Sequence, residues 1–169
     1  MKKKNKKKGI LFWITGLSGA GKTSLANEIK KDIKKKFGPT LVINGDDLRK
    51  IFKLNKYDQT SRLNYGRQYC KFAKFITDQN INLIFTAVCM SDELRVWNKK
   101  NINNYFEVYL KASLSKIKKK KKKKLYLKKT NSIVGIQIKP QYPKKPDIII
   151  VNNFRRSIKE LSKSLIKII

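Results

Sequence analysis

The sequence contains no histidine, which excludes a Ser-His-Asp triad, a histidine general base and histidine metal ligands. Cysteine is scarce as well. Cys70 and Cys89 sit in apolar patterns without metal-like spacing, and read as buried thiols of a reducing compartment rather than a disulfide. Acidic residues are few, 11 against 42 Lys and Arg, for a formal charge of +31. No apolar run approaches the roughly 20 residues of a membrane-spanning helix, so a cytoplasmic protein without membrane association is expected. The charged start, Met1 to Lys8, precedes an apolar run too short for a secretion signal, and cleavage there would destroy the glycine-rich loop that follows.

A charge of this sign suggests a polyanionic partner, because basic stripes release counterions from phosphate backbones. The composition offers a plainer cause. The chain has 36 Lys but only six Arg, with Asn and Ile also abundant, as A/T-rich codons on solvated faces produce. We therefore expect no specific nucleic-acid partner, only weak attraction to polyanions at low salt. At 169 residues the chain can bury roughly 70% of its unfolded surface, as one domain over residues 9–169 behind a lysine-rich, disordered stretch at 1–8.

What is present is decisive. Gly16-Leu17-Ser18-Gly19-Ala20-Gly21-Lys22-Thr23 fits G-x-x-x-x-G-K-[ST] at every fixed position, after an apolar run (Ile10 to Ile14) and before a helical pattern that takes in Ser24. The glycines let successive N–H groups point at phosphates, and the helix N-terminus adds its positive end. Lys22 is expected to reach the β- and γ-phosphates of ATP, and the Thr23 hydroxyl to hold Mg²⁺.

Apolar, β-rich runs recur at Leu11–Thr15, Leu41–Ile43, Leu83–Val88, Phe106–Leu110 and Ile148–Val151. Helical patterns lie at Thr23–Lys36, Ser61–Asp78, Ser91–Asn104 and Ser157–Ile168. Such alternation predicts an α/β fold, a P-loop NTPase of three α/β/α layers with a mostly parallel five-stranded sheet. Ligands of such sheets sit beyond the carboxyl ends of the strands. The lysine run Lys118 to Lys124, inside a candidate lid at 112–135, reads either as a solvated, mobile loop or as a cationic lid over ATP.

After the second strand comes Asn44-Gly45-Asp46-Asp47-Leu48-Arg49. Asp46 is the candidate catalytic acid, able to orient a substrate hydroxyl, and Asp47 the candidate cap of a short helix. Arg49, Arg62 and Arg67 follow as candidate anion clamps, because the guanidinium offers a planar fork that lysine lacks. Asn55-Lys56-Tyr57-Asp58 matches the guanine-reading N-K-x-D motif, but it follows an early strand and lacks a D-x-x-G partner, so GTP is not expected.

From about Ile10 to Asn152 the chain resembles the adenylylsulfate kinase family. The likeness is carried by FWITGLSGAGKTSLA, NGDDLR, the helix from Arg62, NYFEVYL, KLY and VGI…P…PDIIIVNN. That resemblance implies transfer of the γ-phosphoryl group of MgATP to the 3′-hydroxyl of adenylylsulfate, giving PAPS in sulfate assimilation. Asp46 then matches the family's catalytic acid, Arg49 and Arg62 its substrate arginines, and Phe52 or Tyr57 an aromatic on the substrate base. Family members are often dimers, so a homodimer is expected. The acceptor half departs from the pattern. Asn44 replaces an acid, Tyr65 an asparagine, Val88-Cys89-Met90-Ser91 the segment I-S-P-Y, and Ile133 an aromatic that covers a base. The lid motif loses its acid and glycine between Lys120 and Tyr126. Relatives that act on cytidine-diphosphate-linked acceptors, for surface polysaccharide modification, supply a second reading. A decayed ATP-binding protein with nonspecific RNA affinity is a third.

Overall fold

In a computed structural model, residues 8–121 and 132–169 are described. Five strands form one sheet in the order β2-β3-β1-β4-β5: β1 (Leu11–Thr15), β2 (Thr40–Asn44), β3 (Asn82–Ala87), β4 (Tyr105–Lys111) and β5 (Ile148–Val151). Every pairing is parallel, so the sheet is wholly rather than mostly parallel. The central strand β1 carries Leu-Phe-Trp-Ile-Thr, buried throughout, as a strand covered on both faces requires.

Its alternation divides the core. Phe12 and Ile14 face one side, where α1 (Lys22–Phe37) supplies Leu25, Ile29 and Ile33 and the C-terminal α6 (Ile158–Ile166) supplies Leu161 and Leu165. Leu11 and Trp13 face the other, against Tyr69, Cys70 and Ala73 of α3 (Gln59–Asp78) and Leu94 of α4 (Asp92–Asn101). Trp13 and its register partner Phe85 stack at 4.8 Å. The α/β/α layering follows directly.

Helix ends explain where the sequence-based boundaries move. Asp58 accepts a hydrogen bond from the Ser61 N–H, which starts α3 at Gln59 instead of Ser61. At α6 the Ser157–Glu160 capping box does the same work, and the helix stops at Ile166. Short α2 (Gly45–Ile51) begins one residue after Asn44, so Asp47 lies in its first turn and is not its cap. Part of the lysine run, read above as a mobile loop or a cationic lid, is helical. Lys118 to Lys121 continue α5 (Leu114–Lys121), anchored by Ile117, which is fully buried in the core. The remainder of that run, and the candidate lid between 122 and 131, lie outside the described residues. No described helix is long and apolar enough to cross a membrane.

Candidate active site

The loop between β1 and α1 is built from glycines that nothing larger could replace. Gly16 has φ 154°, and a Cβ there would stand 2.5 Å from the Leu110 carbonyl oxygen of β4. Gly21 has φ 103° immediately before α1, where a Cβ would approach Asn152 Nδ2 to 3.2 Å. Inside the loop the Lys22 ammonium is buried and donates to the carbonyls of Gly16 (2.9 Å) and Leu17 (3.0 Å). Leu17 and Ala20 are buried scaffold, while Ser18, Gly19, Gly21, Lys22, Thr23 and Ser24 line an open cavity of 820 Å³.

Asn152, just past β5, braces this loop and went unnoticed in the sequence beyond its place in a motif. Its side-chain amide donates to the Ala20 carbonyl at 2.8 Å, while its own N–H donates to Lys111 O at 2.8 Å. One asparagine thus ties the loop to the far side of the sheet.

The carboxyl ends of β2 and β3 form the next wall. The Thr86 hydroxyl donates to Asn44 Oδ1 at 2.6 Å, and Asn44 Nδ2 donates to Asp47 Oδ2 at 2.8 Å. Asp46 lines the cavity and Asp47 does not. Among the described lining residues Asp46 is the one acid, facing four cations: Lys22, Arg49, Lys50 and Arg62. That balance suits polyanionic ligands.

The two arginines are held by their surroundings. Arg49 lies over the rings of Tyr57 (4.1 Å) and Tyr65 (4.9 Å) and donates to the Lys56 carbonyl. Arg62 donates through Nε to Tyr57 O (2.7 Å) and through Nη2 to Ser132 O (2.9 Å). Burial, then the charge of Arg49, lowers the Arg62 pKa from its ordinary value. Burial also pushes the Cys89 thiol up to about 12 against the pull of Arg62, Lys22 and Arg49, so it lines the cavity as a neutral group. The Tyr69 hydroxyl is likewise pushed up to about 12 by burial.

Of the remaining candidates, Tyr57 and Ile133 line the cavity. Phe52 stands exposed at the end of α2 and is not among the lining residues. Arg67 is turned outward in an exposed ion pair with Glu93 at 2.6 Å. The N-K-x-D segment falls between α2 and α3, with its aspartate engaged in capping. Sequence reasoning noted Tyr65 and Cys89 as departures from a family pattern, but gave neither them nor Thr86 a place in the cavity. A smaller hollow of 270 Å³ opens off the cavity past Arg62, Val88, Cys89 and Val134.

With that geometry in hand, comparison with known proteins is informative. The profile of the adenylylsulphate kinase family matches residues 8–151. The cytidine diphosphoramidate kinase of Campylobacter jejuni is 32% identical over 161 residues, 93% of this chain and 94% of that protein. The adenylyl-sulfate kinase of Buchnera aphidicola is 28% identical over 98% of this chain and 81% of its own length. Among solved structures, the Mycobacterium tuberculosis APS kinase CysC in complex with AMPPNP and APS superposes with a TM-score of 0.84 at 27% identity, covering 95% of this chain and 97% of that one.

Proposed function

This chain belongs to the adenylylsulphate kinase family and is a phosphotransferase of that type, and we propose that it passes the γ-phosphoryl group of ATP to a hydroxyl of a cytidine-diphosphate-linked acceptor. The observation that carries the choice of acceptor is Ile133, an aliphatic side chain in the cavity wall where the resemblance leads one to expect an aromatic. A stacking aromatic is worth about 1–3 kcal/mol to a base, enough for its loss to change which nucleotide is preferred. The likeness to a cytidine diphosphoramidate kinase along nearly the whole of both chains supports the same class.

In this reading Lys22 and the loop N–H groups take the triphosphate, Asp46 orients the acceptor hydroxyl and receives its proton, and Arg49 and Arg62 hold the acceptor's anionic linkage. Phosphoryl transfer depends on such positioning and electrostatics more than on covalent help from the protein. The donor set fits Mg²⁺. The Thr23 hydroxyl is an oxygen donor on the cavity wall, of the kind that holds an ion bridging phosphates. Bound there, Mg²⁺ would neutralise phosphate charge.

Adenylylsulfate remains the second reading, supported by the family profile and by the CysC superposition. The test offers ATP and Mg²⁺ to the purified protein with adenylylsulfate and, separately, with CDP-linked acceptors, and identifies products by mass spectrometry. Turnover of a cytidine acceptor at micromolar concentration is expected. PAPS formation alone would move the protein to the second reading. Silence with both, alongside ATP binding, would leave a nucleotide-binding protein without kinase function.

A further inference from the structure

We infer that Thr86 and Asn44 are positioning residues for the Asp46 carboxylate, a polar bolt across the ends of β2 and β3 that leaves a single acid facing the acceptor. The inference rests on the role proposed above for Asp46. Thr86 and Asn44 are register partners at the carboxyl ends of their strands, so their side chains meet where the chain leaves the sheet. The Thr86 hydroxyl donates to Asn44 Oδ1 at 2.6 Å, and the Asp47 carboxylate, which only accepts, fixes which end of the amide faces which way. Asn44 Nδ2 then points to Asp47 Oδ2 at 2.8 Å.

The amide suits this place because it accepts from Thr86 on one side and donates to Asp47 on the other. A carboxylate at position 44 could still accept from Thr86. It could not donate to Asp47, and the two negative charges would repel. The amide therefore holds Asp47 outside the cavity lining and leaves Asp46, one residue earlier, alone in it.

The backbone between Asn44 and Asp46 is gripped as well. A Cβ on Gly45 would meet Ala87 Cβ at 3.1 Å and the Thr86 carbonyl oxygen at 3.4 Å, so the chain lies hard against the end of β3. The Tyr69 hydroxyl, from α3, donates to the Gly45 carbonyl at 3.3 Å. Asp46 is the next residue of α2, and the direction of its side chain is set by this junction. Thr86 and Asn44 line the cavity beside Asp46, and groups that orient a reacting carboxylate act through geometry, where small displacements are expensive.

The test compares T86V, T86S and N44D, each alone and combined with D46N, by kcat, KM, ATP binding and thermal melting. T86V should lower kcat by about 10- to 100-fold with the ATP KM little changed, since a misplacement of about 1 Å can cost 100-fold. T86S should recover most of that rate, because it keeps the hydroxyl. N44D should also lower kcat with the ATP KM little changed, because a carboxylate at position 44 cannot donate to Asp47 and repels it. In the D46N background T86V should cost nothing further, as expected of residues acting through one group.

Wild-type kcat in T86V and in N44D, with D46N inactive, would overturn the positioning role and leave the Asp46 role standing. A rate loss in T86V that follows lost ATP binding or melting, with no recovery in T86S, would overturn it too. Normal turnover by D46N would instead remove the reading on which the inference rests.

Discussion

Arg95 Nε lies 3.7 Å from Glu107 Oε1, a cation on α4 set against an acid on β4, with each side chain 8% exposed. Arg95 also donates to Asp92 and to the Gln141 carbonyl. Burial raises the Glu107 pKa from 4.5 to about 7; Arg95 and Lys99 oppose the rise, and Asp147 and Asp92 add to it. The acid is thus more easily protonated in the fold than in the unfolded chain. Its contribution to stability is full below pH 4.5 and is lost as pH rises through about 7. The loss is on the order of 1–3 kcal/mol after allowance for solvent screening. Chemical denaturation between pH 5 and pH 8 should show stability falling in the wild type, and E107Q should flatten that slope. A wild-type slope in E107Q would assign the pH dependence to other groups.

Lys22→Ala should cut turnover by about 100-fold or more, the usual loss when one donor to a developing anion is removed. ATP affinity should weaken with it, because the ammonium belongs to the loop interior through Gly16 and Leu17. Isothermal titration and steady-state kinetics check both. Unchanged kinetics would contradict the phosphate role of the loop.

Ile133→Phe restores an aromatic face to the cavity wall. It should raise kcat/KM for adenylylsulfate relative to a cytidine acceptor by about 5- to 100-fold, the range spanned by one stacking contact. Competition between the two acceptors in one reaction reads the ratio directly. No change in that ratio would mean the base is recognised elsewhere.

Arg62→Lys keeps the charge but not the fork that joins Tyr57 O to Ser132 O. The acceptor KM should rise about 10-fold or more, with a smaller effect on the ATP KM. Equal effects on both substrates would place Arg62 at the nucleotide instead.

Much of this was legible before any coordinates, for physical reasons. Leu11–Thr15 reads as a strand because it is apolar up to its final threonine and precedes a glycine loop, and the strand forms over those residues. Lys22 and Asp46 were legible because their spacing from strand ends is fixed by the fold, and both line the cavity. Arg67 looked equivalent to Arg49 and Arg62 along the chain, yet its place on the outer face of α3 sends it to Glu93. Local sequence does not reveal which way a helical residue faces until the partner of that helix is known. Thr86 and Asn152 were illegible as site residues for a related reason, because both act through contacts with distant segments, one 42 and the other 132 residues away. The extension of α5 to Lys121 goes with the burial of Ile117, a tertiary contact that the charge pattern alone does not register.

The Asn152 brace gives the chain an order of assembly. The phosphate loop is synthesised early, but the amide that secures its Ala20 carbonyl arrives 132 residues later, after the edge strand β5. Closing so long a span must precede the contact that rewards it. A nascent chain that has not yet released β5 carries the whole loop sequence without its fastening. Full bracing of the loop is therefore a late event in biogenesis, gained when the last strand docks.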